Sequence, residues 1–176
     1  MNVKRFGWMI LVFFLSVSSS WAAEVTVKIL APWQGRGEVY KVSPSRIKVV
    51  GVFNGIMYID RGTKELDAAL FMCPGTQYID LNTKKADLYA DCIVSKGEDK
   101  VAYGTLRASG PVGALKGKFT IHGGEGDWAQ ISGEGRVFIR TAVGETDLNK
   151  KTGEVFRSAA GLAIWDPLKI KLPDKD

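Results

Sequence analysis

Apolar and polar residues alternate along most of this chain. Phe119 and Ile121 point one way between Lys118, Thr120 and His122. Leu88, Ala90 and Cys92 share one parity of residues 86–95, and Val101, Tyr103 and Thr105 alternate with Ala102, Gly104 and Leu106. A period of two is the mark of a strand with one face buried. Such runs recur at 25–30, 38–42, 46–60, 78–81, 86–95, 100–108, 118–122, 136–141 and 154–165, with 168–172 as a short edge strand. Turn-forming residues separate them: the break at 31–37, Ser43-Pro44-Ser45, Arg61-Gly62, 82–85, Gly97-Glu98-Asp99, and Gly110-Pro111-Val112-Gly113. Residues 65–72 read two ways. Leu66, Ala69 and Leu70 have helical spacing, but the run is short and flanked by strands, so it is assigned as strand, stopped by Cys73-Pro74-Gly75. Pro167 limits the strand before it, 145–153 reads as a polar loop, and the tail after Pro173 reads as disordered. Short strands, turn signals between them and almost no helical periodicity predict an all-β protein.

The densest glycine cluster sits between two of these strands. Gly123, Gly124 and Gly126 follow the run ending at His122; then come Trp128, Ile131, Gly133 and Gly135, and strand resumes at Arg136. Glycine weakens a strand, so a cluster there marks a bulge or a sharp corner. Trp128 is placed to cover bare glycine backbone, as aromatics do at barrel corners. Gly123, Gly124, Gly126, Trp128 and Gly133 are therefore assigned as a structural corner. A phosphate-cradling loop would have to open a helix; these glycines lead into a strand, and no Gly-Lys-Ser/Thr follows.

The stretch from Phe119 to Gly133 resembles the glycine-rich corner of the allene oxide cyclase / dirigent-like barrels. Residues 92–104, Cys-Ile-Val-Ser-Lys-Gly-Glu-Asp-Lys-Val-Ala-Tyr-Gly, resemble the strand, turn and strand that precede that corner in secreted bacterial members. The resemblance covers residues 85–140 or so. It implies a closed, mostly antiparallel, eight-stranded calycin-like β-barrel. Plant cyclases of that fold isomerise a fatty-acid epoxide, and dirigent proteins steer radical coupling. The corner matches this chain, the catalytic neighbourhoods do not, and no functional residue is carried over.

The first 22 residues read as an address. Lys4 and Arg5 precede an apolar core over 6–17, and Ser20 and Ala22 suit the −3 and −1 positions of a signal peptidase site. That core is shorter than the roughly 20 residues that span a bilayer. Residues 1–22 are thus expected to be a signal peptide and 23–176 a single barrel domain, exported to a periplasm or the cell exterior, with no stable membrane span. Losing Lys4 and Arg5 takes two charges from a net of +5. The remaining charges are interspersed, without the basic stripe that nucleic acid requires.

Few residues could carry chemistry. Cys73 and Cys92 are the only cysteines; an even count in an exported chain predicts one disulfide. Their spacing is not Cys-x-x-Cys, which argues against a redox motif. His122 is the only histidine, so multi-histidine zinc or copper sites are excluded, and no Gly-x-Ser-x-Gly elbow supports a triad on it. It reads as a strand-end residue. Carboxylates are plentiful (Asp60, Asp87, Asp91, Glu98, Asp99, Glu125 and Asp127 among them), but no spacing selects an acid–base pair or a calcium loop. No metal or cofactor is expected. Aromatics recur on nearly every strand, Trp33, Phe53, Phe71, Phe119 and Trp165 included; they fill a barrel core or line an apolar pocket at its mouth.

The chain therefore reads as an exported, non-enzymatic barrel that binds a small apolar ligand or a protein partner. Two alternatives are a cofactor-independent cyclase or isomerase with a buried carboxylate or tyrosine in the lumen, and a structural role as a homo-oligomer.

Overall fold

The computed structural model describes residues 23–142 and 155–172, and of 155–158 the backbone only. Eight strands follow one another: β1 (Glu24–Ser43), β2 (Arg46–Asp60), β3 (Leu66–Asp80), β4 (Lys85–Ser95), β5 (Lys100–Pro111), β6 (Ala114–Gly126), β7 (Ser132–Thr141) and β8 (Val155–Lys171). Each pairs antiparallel with its neighbours in sequence, and β8 returns to β1, so the sheet closes with no free edge. Closure removes the unpaired backbone rows that an open sheet leaves to aggregate. No helix occurs among the described residues.

Alternation explains which side each residue takes. Val27, Ile29, Ala31 and Trp33 of β1 and Leu88, Ala90, Cys92 and Val94 of β4 point inward and are buried. Among the described residues the buried set holds no charged side chain and no polar one outside the tryptophan indoles. Bare backbone gives the larger rings room inside. A Cβ on Gly55 would come within 2.9 Å of the Phe71 ring, one on Gly104 within 2.7 Å of Phe119, and one on Gly161 within 2.7 Å of Trp33.

Three expected breaks are absent, each because proline sits where a strand can spare its N–H. The stretch 31–37 lies inside β1. The β1–β2 ladder steps from Leu30↔Tyr58 to Trp33↔Gly55, skipping Pro32, while the β1–β8 ladder runs through it. Pro74 does not stop β3 either. Its β2 side stays in register, and the β3–β4 ladder lapses between Met72↔Ile93 and Gly75↔Ala90. Nor does Pro167 end β8. Asp166 and Pro167 form a bulge opposite Lys28 on β1 and Arg136 on β7, which places Trp165 and Leu168, of opposite parity, both inside. The expected leader over 1–22, the loop over 145–153 and the tail after Pro173 lie outside the described residues.

Candidate functional site

Antiparallel order gives the barrel two distinct ends. The lower end carries the β2–β3, β4–β5 and β6–β7 connections; the upper end carries the β1–β2, β3–β4 and β5–β6 turns. An apolar cavity of about 50 Å³ lies toward each end of the lumen. Phe119 lines the lower cavity and Trp165 the upper. Their rings meet edge to face, centroids 5.8 Å apart, and form the partition between them.

The glycine-rich corner builds the lower end. Gly123 pairs with Tyr103 and Ile121 with Gly104, leaving His122 in a bulge without a β5 partner and exposed. Gly126 closes β6 at φ 59°, where a Cβ would lie 2.1 Å from the Asp99 carbonyl oxygen. From there residues 127–131 fold back over the lumen. The Asp127 N–H donates to Asp99 O at 2.7 Å, and the Ile131 N–H to Trp128 O at 2.9 Å. Ile131 is buried as the plug, and the half-buried Trp128 ring lines the cavity beside it. The Trp128 carbonyl oxygen and the Ile131 side chain approach Gly124, where a Cβ would lie 2.4 Å from the former. Gly133 pairs with Ile121 and Ile170 as β7 begins.

At the upper end the turns are tied to one another by main-chain hydrogen bonds, Leu81 N–H to Ser45 O at 2.8 Å and Val112 N–H to Lys84 O at 2.9 Å, and the Leu81 and Val112 side chains pack against the core. Trp33, Phe53, Phe71, Leu106, Ile139 and Trp165 form the greater part of the cavity wall, and the half-buried Gln77, Gly113 and Thr141 stand at its rim. Trp33 packs edge to face on Phe53 with centroids 5.5 Å apart. Cys73 is also in this wall. Its sulfur lies at bonding distance, 2.07 Å, from that of Cys92 directly across β4. The bond falls where Pro74 interrupts the β3–β4 ladder, so a covalent link holds the wall at its missing hydrogen bonds. Such a pair fits an oxidising compartment.

Among the described residues the charged side chains lie on the outside, with Arg61 also lining the lower cavity. Asp60 and Asp80 accept from turn N–H groups. The Thr83 N–H, foremost, holds the Asp80 carboxyl below the usual aspartate range. Asp67 is also held low, chiefly by its hydrogen bond from the Lys96 ammonium, against a partial desolvation that pushes the other way. The Tyr89 and Tyr103 phenols, donating to Asp91 and Glu125, are pushed up. Asp87 and Asp91 share the outer face of β4, with Arg107 on the adjoining β5 and Lys116 and Lys118 on β6 beyond it. Among the described residues no group of His, Cys, Asp and Glu could hold a metal ion. The lumen acid or tyrosine that the cyclase alternative requires is likewise not among them.

The outer surface is uneven. On β4–β6 it is charged. On β1–β3 and β8 it includes an apolar patch among exposed charges such as Lys28 and Glu38: Leu30 stands opposite Tyr58 and Ile164, and Ile56 opposite Leu70. Leu70 is 61% exposed.

Sequence reasoning identified the aromatics that line the upper cavity but not which face each would take. Tyr40, Tyr58 and Tyr89 point outward. It also missed Gln77 and the state of the indole N–H groups, because period-two patterning assigns a face and not a hydrogen-bond partner. Compared with family models, curated proteins and solved structures, the chain matches none.

Proposed function

We propose that this protein is a non-catalytic binding barrel, exported under the leader at 1–22, that holds a small apolar molecule in its upper cavity. One observation carries the reading: an apolar, aromatic-walled cavity toward the upper end of the lumen, with the half-buried Gln77 and Thr141 in its lining. Ligand sites are typically of this kind, apolar with a few polar groups at fixed places. The cavity is small; about 150 Å³ is needed to seat benzene. The occupant is therefore slender, or extends out past Gln77 and Thr141. An apolar lumen with a partly charged exterior is the reverse of a membrane-spanning barrel, whose lipid face is apolar all round; this supports a barrel that does not sit in the bilayer. Kinship with the allene oxide cyclase / dirigent-like barrels is a proposal resting on the corner motif.

Native mass spectrometry of the protein from its exporting host tests the reading. A co-purified small molecule released on unfolding is the expected result. A chain that is empty as isolated and takes up no apolar compound from a panel overturns it.

A second reading rests on the outer apolar face of β1–β3 and β8. Monomeric proteins seldom expose contiguous apolar patches beyond about 300–600 Å², so this face suits association with another protein surface, a second copy included. Light scattering across a concentration series checks self-association, and a Leu70→Lys substitution should abolish it.

A further inference from the structure

Charges that are interspersed along the chain become neighbours once the strands pair. Arg107, Lys118 and Arg136 stand in direct register on the outside of β5, β6 and β7. Two residues along β6, Lys116 stands between Ser109 and Phe138. Like charges directly opposite one another destabilise a sheet, and here they are only partly offset. Lys118 reaches Glu134. Among the described residues no carboxylate lies within ion-pair reach of Arg107, Lys116 or Arg136. Two rings hold cations in place without neutralising them. The Arg107 guanidinium lies 5.3 Å from the Tyr89 ring centroid, and the Lys116 ammonium 5.8 Å from that of Phe138. An open groove of about 580 Å³ covers this face from β3 to β6, within the usual size of a ligand cleft. Its side chains are of mixed chemistry: Thr76, Asp87 and Ser109 stand among Arg107, Lys116 and Lys118.

We propose that this outer groove binds an anionic polysaccharide, a chain of uronic-acid units, with carboxylates on Arg107 and Lys116 and sugar hydroxyls on Asp87 and Ser109. Arg136 extends the cationic row past the groove. The site is on the outer face and is independent of the lumen reading above. Unpaired cations call for an anion. An anion without hydroxyls would find only repulsion at Asp87, whereas a sugar hydroxyl donates to that carboxylate. A membrane surface asks for apolar side chains protruding beside the cations. On β4–β6 Tyr89 is the one exposed large hydrophobic among the described residues, the others lying on β1–β3. Single-stranded nucleic acid asks for aromatic faces on which bases stack, and the Tyr89 and Phe138 rings already meet cations of this chain.

Calorimetric titration of the protein at pH 7 with four probes tests this: polygalacturonate, its methyl ester, oligothymidylate and phosphatidylglycerol vesicles. Polygalacturonate binds, and more weakly as salt rises, because exposed charge pairs are screened. The methyl ester, the same sugar without its charge, binds at least about tenfold more weakly. Arg107→Gln with Lys116→Gln weakens polygalacturonate about tenfold, the worth of two exposed charge contacts. Lys28→Gln with Lys171→Gln removes the same charge from β1 and β8, across the barrel, and leaves binding unchanged. Asp87→Ala weakens it, because a hydroxyl acceptor is lost. Equal binding of acid and ester overturns the charge recognition. An equal loss in the two double variants reduces the effect to net charge and overturns the groove. Tighter binding after Asp87→Ala shows that carboxylate to be a repulsion and overturns the sugar assignment. Oligothymidylate or vesicles binding as tightly as polygalacturonate, or no binding by any probe, overturns the proposal whether or not the lumen holds a ligand.

Discussion

At the lower end of the barrel the chain folds residues 127–131 across its own lumen; at the upper end the aromatic wall stands beneath a rim of Gln77, Gly113 and Thr141. Both walls are mainly apolar. Both ends tie their turns by main-chain hydrogen bonds, the upper through Leu81 N–H to Ser45 O and Val112 N–H to Lys84 O; what differs is the set of residues that each end buries. The lower turn uses main-chain hydrogen bonds within itself and to Asp99, and Ile131 supplies the apolar plug. The upper end buries two indole donors that the described protein does not satisfy.

The most damaging way to break this comparison is to remove the partition. Phe119→Ala deletes a ring that is 2% exposed and should cost about 3–5 kcal/mol in urea unfolding. If the protein still folds, the two cavities merge and the lumen accepts larger apolar probes. Replacing both Cys73 and Cys92 with Ala should cost about 3 kcal/mol for a loop of this length. Because Cys73 is in the upper wall, ligand binding should weaken with it, whereas ligand binding unchanged beside a full stability loss would separate the bond from the site.

The lower end can be loosened alone. Gly126→Ala forces a Cβ onto a left-handed residue and against the Asp99 carbonyl, at about 1–3 kcal/mol. Hydrogen exchange should quicken in residues 127–131 and stay slow around Trp33 and Phe53. Uniform quickening would show that the ends are coupled. The smallest effect concerns Asp67, which joins Lys96 and Arg61 at the lower end. Its carboxyl is lower in the folded chain than the ordinary 3.8. Its contribution is therefore complete above about pH 4 and fades as pH falls through the folded value. Asp67→Asn should cost under about 1 kcal/mol at pH 7, because the pair is partly screened by water, and the gap between variant and parent should close as the pH drops below 3.8. A gap that persists in acid would assign the loss to packing or hydrogen bonding rather than charge.

Much of the fold was legible. Period-two alternation placed β2, β4, β5 and the first part of β6 close to where they lie, because burying one face of a strand demands that pattern. The prolines misled. Pro32, Pro74 and Pro167 read as terminators, yet Pro32 and Pro74 each stand where one ladder lapses and another continues, and at Pro167 the ladders to β1 and β7 lapse together in a bulge that β8 then continues past. The Asp166–Pro167 bulge had no signal in the alternation, though it is what brings Trp165 and Leu168 to the same side. The site was legible only as composition: aromatics on most strands, without the face each would take.

By itself the sequence determined the strand character, the glycine-dense corner and the pairing of its two cysteines. These follow from local periodicity, from backbone freedom at glycine, and from a count of two. Only the tertiary structure decided that β8 closes onto β1, that the corner packs into one end of the lumen, and that the indoles of Trp33 and Trp165 lie buried without an acceptor among the described residues. Closure and burial are properties of residues distant in sequence meeting in space, and a hydrogen bond exists or fails only once both partners have been placed.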